Sequence, residues 1–152
     1  MRIEGSTVLV TGASSGIGAA LAPQLAERGA TVGIVARRAD RLEEVLEQCR
    51  RHAPASRMWP ADLGDLERAE AVALEAWDAF GHLHALVNNA AIAKRVHTLD
   101  LTVDDVQHTM DVNFFSPIRM AMALLPRMQA RGSGLVVNVS SMGGRLGIVH
   151  EA

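Results

Sequence analysis

The chain has 152 residues with a formal net charge of −2, and 49% of them are hydrophobic. These values are typical of one globular α/β domain and give no reason to expect nucleic acid or an anionic membrane as a partner. The single Cys49 excludes an internal disulfide and favours a reducing, cytoplasmic location. No apolar run is long enough to span a membrane. His82 and His84 lack the cysteine or carboxylate neighbours that indicate a metal site.

Predicted strands and helices alternate along the chain. Apolar runs predict strands at residues 7–10, 31–35, 56–59, 83–87 and 135–139, and helical periodicity predicts helices at residues 17–28, 41–51, 66–80 and 102–131. Gly29, Gly81 and Gly132 each end a helix shortly before the next strand. This repeated unit predicts a parallel sheet with helices on both faces, in a single domain over residues 1–152.

A glycine-rich stretch joins the first strand to the first helix. Its candidate cofactor residues are Gly12, Ser14, Ser15, Gly16, Ile17 and Gly18. The free N–H groups and positive dipole end of a helix N-terminus suit a phosphate. Gly12 permits a left-handed backbone, Gly16 permits close approach of a pyrophosphate, and Gly18 permits tight packing of the helix on the strand. The alternative is a glycine-rich turn without a ligand.

Two arginines follow the second strand, where an acidic residue would bind the ribose hydroxyls of NAD. Arg37 and Arg38 instead offer guanidinium groups, which pair well with a phosphate. The sequence therefore predicts NADP as the cofactor, with NAD as the second choice. The alternative is a solvated basic pair at the start of a helix.

Polar residues also follow the other strands, at the edge of the sheet where ligands bind. Asp62 and Leu63 could receive an adenine ring, although Asp62 could equally cap the next helix. The pair Asn88-Asn89, followed by Ala90, could tie adjacent loops together through the amide groups.

Together these motifs identify the chain as a member of the short-chain dehydrogenase/reductase family, of the classical type. The motifs are residues 11–18, Asp62-Leu63, Asn88-Asn89-Ala90, Asn113 and Asn138-Val139-Ser140-Ser141. The resemblance implies a three-layer, doubly wound Rossmann-type sheet with strand order 3-2-1-4-5, and it places Asn89 and Ala90 at the cofactor. It also implies hydride transfer between a nicotinamide and a small carbonyl or alcohol substrate. Ala91 stands where the family usually has Gly.

The resemblance implies two catalytic residues in this chain. Ser141 would orient the substrate oxygen, and Asn113 would hold a water molecule in a proton relay. Pro117 supports the second role, because it lacks the N–H that would bond the Asn113 carbonyl in an α-helix. A kink is expected there, and the apolar neighbours of Asn113 argue against a solvent-facing position. The alternative is a packing kink with an exposed polar residue.

The family's catalytic Tyr and Lys have no counterpart in this sequence. The Tyr would fall about thirteen residues after Ser141, past Ala152, and the chain contains no Tyr and only one Lys, Lys94, in a loop. His150 and Glu151 are poor substitutes on a loose terminus. We therefore expect a fragment that lacks the C-terminal strands and is inactive by itself. The alternative is a non-catalytic nucleotide-binding or interaction module.

The predicted helix at residues 102–131 is apolar on more than one side. Met110, Phe114, Ile118, Ala121 and Leu125 form one row, while Phe115, Met122 and Met128 lie elsewhere. One side is expected to cover the sheet, and another to form a homodimer or tetramer as in the family.

Overall fold

A five-stranded parallel sheet forms the centre of the computed structural model, which describes residues 2–144. The strand order is β3-β2-β1-β4-β5, as predicted. The strands are β1 (Thr7–Thr11), β2 (Thr31–Ala36), β3 (Arg57–Pro60), β4 (Ala85–Asn88) and β5 (Leu135–Asn138). Residues 145–152, which include His150 and Glu151, lie outside the described residues.

Helices cover both faces of this sheet. They are α1 (Gly16–Glu27), α2 (Ala39–Arg50), α3 (Leu66–Phe80), α4 (Val103–Met110) and α5 (Ser116–Arg131), with short 3-10 turns at Thr98–Asp100 and Met142–Gly144. None of the helices in residues 2–144 is both long and apolar enough to cross a membrane.

The core is divided by the sheet into two apolar clusters. All five residues of β1 are buried, because side chains of a central parallel strand are covered on both faces. Val8 and Val10 pack towards α1 and α2, whereas Leu9 packs towards α3 and α5. Cys49 lies in the first cluster, and burial raises its pKa to about 11, so the thiol stays protonated at neutral pH.

Two helices end at the glycines that the sequence predicts as their ends. Gly81 and Gly132 end α3 and α5 in the left-handed conformation, with φ of 76° at both. The suggestion that Asp62 caps α3 is wrong. Asp65 is the N-cap, and its carboxylate accepts hydrogen bonds from the N–H groups of Glu67 and Arg68. Asp62 accepts from Gly64 instead, at 2.9 Å.

The predicted long helix is two helices joined by a π-helical turn at Asp111–Phe115. The Ser116 N–H bonds to the Asp111 carbonyl, five residues back, rather than to the carbonyl four residues back. Pro117 then supplies no N–H to the next position. The expected distortion therefore falls at Asn113, as a widened turn of the helix.

A histidine at the opposite edge of the sheet should make the fold sensitive to acid. The Thr7 N–H donates to His84 Nδ1 at 2.9 Å. Burial, with help from Arg131 and His82, lowers the pKa of His84 below 6.5. The unfolded chain therefore binds more protons in this range, and the stabilisation is complete above about pH 6.5 and is lost as pH falls through the lower folded pKa. Melting temperatures measured across this range should show the loss.

His84→Asn tests this expectation, because it keeps an acceptor near Nδ1 that does not titrate. The difference in melting temperature between wild type and variant should grow as the pH falls below 6.5, in favour of the variant. His52→Asn, at an exposed histidine after α2, is the control and should follow the wild type. Parallel curves for wild type and His84→Asn would contradict the role of His84.

Candidate active site

The glycine-rich turn lies at the carboxyl edge of β1. Gly12 adopts a φ of +67°, and a Cβ there would lie 2.7 Å from the Ala90 Cα. A Cβ on Gly18 would lie 2.6 Å from the Gly12 carbonyl oxygen, so the helix can approach the turn only without a side chain. Gly16 has a φ of +57° and no protein atom within 4 Å of the added Cβ. The space in front of Gly16 is thus open to a ligand.

Thr11 connects this turn to the end of β4. Its hydroxyl accepts from the N–H groups of Asn89 and Ala90, both at 3.0 Å, and donates to the Val87 carbonyl. The Asn89 side chain donates to the Thr11 carbonyl at 2.9 Å. Thr11 belongs to the predicted motif of residues 11–18, but its hydrogen bonds to the end of β4 were not predicted.

The first asparagine of the motif, Asn88, ties neighbouring strand ends together, as predicted. Asn88 is buried at the end of β4 and donates through Nδ2 to Asn138 Oδ1 on β5, at 2.9 Å. The two residues are also register partners. The end of β5, which leads to Ser140 and Ser141, is thereby fixed to the central strands.

A cavity of about 490 Å³ opens at this edge of the sheet. Ten of the twelve predicted cofactor residues line it: Gly12, Ser14, Ser15, Ile17, Arg37, Arg38, Asp62, Leu63, Asn89 and Ala90. Gly16 and Gly18 do not line it. Ala36, Ala61, Ala91, Ile92 and Val112 complete the lining and were not predicted. All five are alanine or branched aliphatic residues, and no sequence motif marks such residues as part of a cavity lining.

Charge is concentrated at one end of the cavity. The Arg38 guanidinium lies 3.3 Å from the Ser14 hydroxyl, so the loop after β2 contacts the glycine-rich turn. Arg37 also lines the cavity, and no acidic residue stands at the end of β2. At the N-terminus of α1, the Ser15 side chain makes no capping hydrogen bond and the first turn contains no acidic residue. These are the properties of an anion-binding helix end.

Comparison with known proteins identifies the family. The family model for short chain dehydrogenases matches residues 6–152. The chain belongs to the short-chain dehydrogenase/reductase family. It is 35% identical over 144 residues to a fatty acyl-CoA reductase of Acinetobacter baylyi, and 37% identical over 147 residues to an uncharacterised oxidoreductase of Mycobacterium bovis. Each alignment covers 93% of this chain, but only 49% and 43% of those relatives.

Solved structures of this family carry the same NAD(P)-binding Rossmann fold. A metagenomic short-chain oxidoreductase in complex with NADP superposes with a TM-score of 0.90 at 29% identity, covering 100% of this chain and 69% of that one. L-Sorbose reductase of Gluconobacter frateurii, solved with NADPH and L-sorbose, gives 0.90 at 28% identity, covering 99% and 59%. The chain thus spans about half to two thirds of the length of these proteins.

Two positions of the family motifs, Asn113 and Ser141, lie outside the cavity lining. Asn113 is exposed, so the expectation that its apolar neighbours would bury it is wrong. Phe114 and Phe115 are themselves largely exposed. The Asn113 carboxamide is nevertheless fixed, because it accepts from the Ile92 N–H at 2.8 Å and donates to the Ile92 carbonyl at 2.7 Å. It therefore holds the loop after β4 in place.

Ser141 and Lys94 are also held by neighbours. The Ser141 hydroxyl is exposed and accepts from the Gly143 N–H at 3.0 Å. Lys94 forms an ion pair with Asp105 at 2.6 Å, and that pair lowers the pKa of the Asp105 carboxyl. Within residues 2–144, no cluster of His, Cys, Asp and Glu could hold a metal ion.

Proposed function

We propose that this chain is the cofactor-binding part of an NADP-dependent oxidoreductase that interconverts a carbonyl compound and an alcohol. NADP would supply or accept the hydride through its nicotinamide. The observation that carries the choice of cofactor is the pair of arginines at the cavity, one of which contacts Ser14.

The cavity and the glycine-rich turn beside it suit the successive parts of a dinucleotide. The open space at Gly16, beside the uncapped N-terminus of α1, suits the pyrophosphate. Arg37 and Arg38 suit a 2′-phosphate, since guanidinium groups pair with phosphate in a bidentate way. Asp62 and the buried Leu63 suit the polar edge and the face of an adenine ring.

The remaining assigned residues act on the substrate side. Asn89 and Ala90 would line the path of the nicotinamide ribose. We assign to Ser141 the orientation of the substrate oxygen, and to the Asn113 carbonyl a water molecule of the proton relay. The chain has no Tyr, and Lys94 is engaged with Asp105. The general acid would therefore have to come from another part of the protein.

The choice of cofactor can be tested by binding measurements. The protein should bind NADP more tightly than NAD by about 1–3 kcal/mol, the usual range for charge-assisted pairing. Both arginines are exposed, so solvent screening favours the lower half of that range. The double change Ala36→Asp and Arg37→Ile should reverse the order, because the carboxylate accepts from ribose hydroxyls and repels a phosphate. Titration calorimetry gives both affinities.

A matched control is available on α2, which directly follows the two arginines. Arg41 pairs with Glu44 and does not line the cavity, so Arg41→Gln should leave the ratio of the two affinities unchanged. Equal affinity of the wild type for NADP and NAD would refute the proposed role of the arginines.

We further propose that this protein forms a homo-oligomer through α4 and α5. The buried side of α5 is the face with Ser116, Met120, Leu124 and Met128. The other apolar row is exposed: Met110, Phe114, Ile118 and Leu125 are each 40–49% accessible. Ala121, assigned to the same row in the sequence, is half-buried against the core. A second copy of the chain could cover this exposed row.

Sedimentation at micromolar concentration tests the association. Ile118→Asp should shift the wild-type dimer or tetramer towards monomer, because it places a charge in the apolar contact. Gln48→Asp, on α2 at the other face of the sheet, should leave the assembly intact. A strictly monomeric wild type would disprove the proposal.

A further inference from the structure

Two buried side-chain atoms stand out in the described part of the chain because they have no hydrogen-bond partner there. They are Asn88 Oδ1 and Ser116 Oγ. Ser116 is completely buried, and Asn88 is 5% exposed. The Asn88 amide nitrogen is occupied by Asn138, so its orphaned end is an acceptor. Buried polar atoms of this kind are rare and call for an explanation.

The two orphaned atoms lie at the same end of the same core cluster. Leu86 and Met120 both belong to the cluster between the sheet and helices α3 and α5. Asn88 shares a face with Leu86 and lies about 6.6 Å further towards the carboxyl end of β4. Ser116 lies one turn before Met120, about 6 Å in the same direction, since a crossover helix runs antiparallel to the strands.

A third polar atom joins them from the π-helical turn. The Ser116 N–H bonds to the Asp111 carbonyl, and Pro117 has no N–H. The Val112 carbonyl therefore receives a hydrogen bond from neither helical donor. Val112 is 6% exposed and lies one turn before Ser116 on the same face. It also lines the cavity with Asn89, which directly follows Asn88.

We propose that Asn88, Ser116 and the Val112 carbonyl hold one ordered water molecule. The hydrogen-bonding groups balance: the water donates to Asn88 Oδ1 and to the Val112 carbonyl, and accepts from the Ser116 hydroxyl. Three polar partners are the usual number for a buried water. If the Ser116 hydroxyl instead donated to a carbonyl of its own helix, Asn88 Oδ1 would still have no hydrogen-bond partner.

The water would connect the elements behind the cavity. It joins the π-helical turn, which carries Asn113, to the end of β4. Through the Asn88–Asn138 hydrogen bond the connection reaches β5, shortly before Ser141. The site does not rest on the proposed function, because it requires neither cofactor nor substrate.

Ser116→Ala in the full-length protein should change the ratio of folded to unfolded protein in different directions, depending on whether the water is present. If the water is present, the variant removes one of its three anchors, and the ratio of folded to unfolded protein should fall about fivefold or more. If the hydroxyl is merely buried and unpartnered, alanine should leave the ratio unchanged or raise it, since alanine is the better helix former. Ser133→Ala, at an exposed serine after α5, should change the ratio less than twofold.

A high-resolution crystal structure of the wild type decides the matter even if the variant does not fold. The expected result is a water within about 2.6–3.2 Å of Asn88 Oδ1, Ser116 Oγ and the Val112 oxygen. Two results would overturn the proposal. One is a Ser116 hydroxyl bonded to a carbonyl of its own helix without a water, and the other is a protein group from outside residues 2–144 that fills the position.

Discussion

The 152-residue chain alone should oxidise NADPH with carbonyl substrates at no measurable rate. General acid–base catalysis by one positioned side chain is typically worth about 10²–10⁴-fold, and the chain contains no Tyr to supply it. Loss of substrate orientation can cost about 10²-fold more. Lys94 does not compensate, because its ammonium group is paired with Asp105. A panel of ketones and aldehydes, assayed beside a longer chain that carries the Tyr and Lys of the family, measures the difference.

Binding of NADP to the same sample provides the control, since it shows that the inactive chain is folded around its cofactor site. Lys94→Met should leave the baseline rate unaltered. Turnover by the 152-residue chain that approaches the rate of this longer chain would show that the reaction needs no group beyond those in residues 1–152.

Gly18→Ala should weaken dinucleotide binding at least tenfold and destabilise the fold. The new Cβ would lie 2.6 Å from the Gly12 oxygen and 2.7 Å from the Asn89 amide nitrogen. The Asn89 nitrogen donates to the Gly12 oxygen at 3.4 Å and to the Thr11 carbonyl at 2.9 Å, so a shift of either atom disturbs these hydrogen bonds. We expect a loss of about 2–3 kcal/mol in the free energy of unfolding, with NADP affinity at least tenfold weaker. Urea denaturation and calorimetry measure the two effects.

Gly81→Ala is the matched substitution. Gly81 has a φ of +76° but no atom within 4 Å of an added Cβ, so alanine there should cost about 1 kcal/mol through backbone strain alone. It should leave NADP affinity unchanged, because Gly81 ends α3 far from the cavity lining. Equal losses of unfolding free energy and of NADP affinity in the two variants would contradict the role of the close contact at Gly18.

The sequence predicted the alternation of strands and helices because that pattern is local. Apolar runs and helical periodicity report which face of each element is covered, and Gly81 and Gly132 end helices through their own backbone freedom. The helical spacing of Leu42, Val45, Leu46 and Cys49 likewise matches the face of α2 that is buried in the structure. The strand order was implied by the family motifs, because the residues of one strand do not show which other strand lies beside it.

Hydrogen bonds between residues far apart in the chain could not be predicted from the sequence. Thr11 and Asn89 are 78 positions apart, and Asn113 and Ile92 are 21 apart. No periodicity relates such pairs, because each contact exists only once the sheet has brought the strand ends together. The sequence named Asn89 and Asn113 but not the partners that hold them.

Only the tertiary structure also decided which of two nearby candidates takes a given position in the fold. Asp62 and Asp65 could both cap α3, and the path of the loop gives the cap to Asp65. Residues 102–131 are apolar on two sides, and packing against the sheet selects Ser116, Met120, Leu124 and Met128 as the inner face. Local propensity ranks such alternatives nearly equally, so the choice between them falls to the rest of the fold.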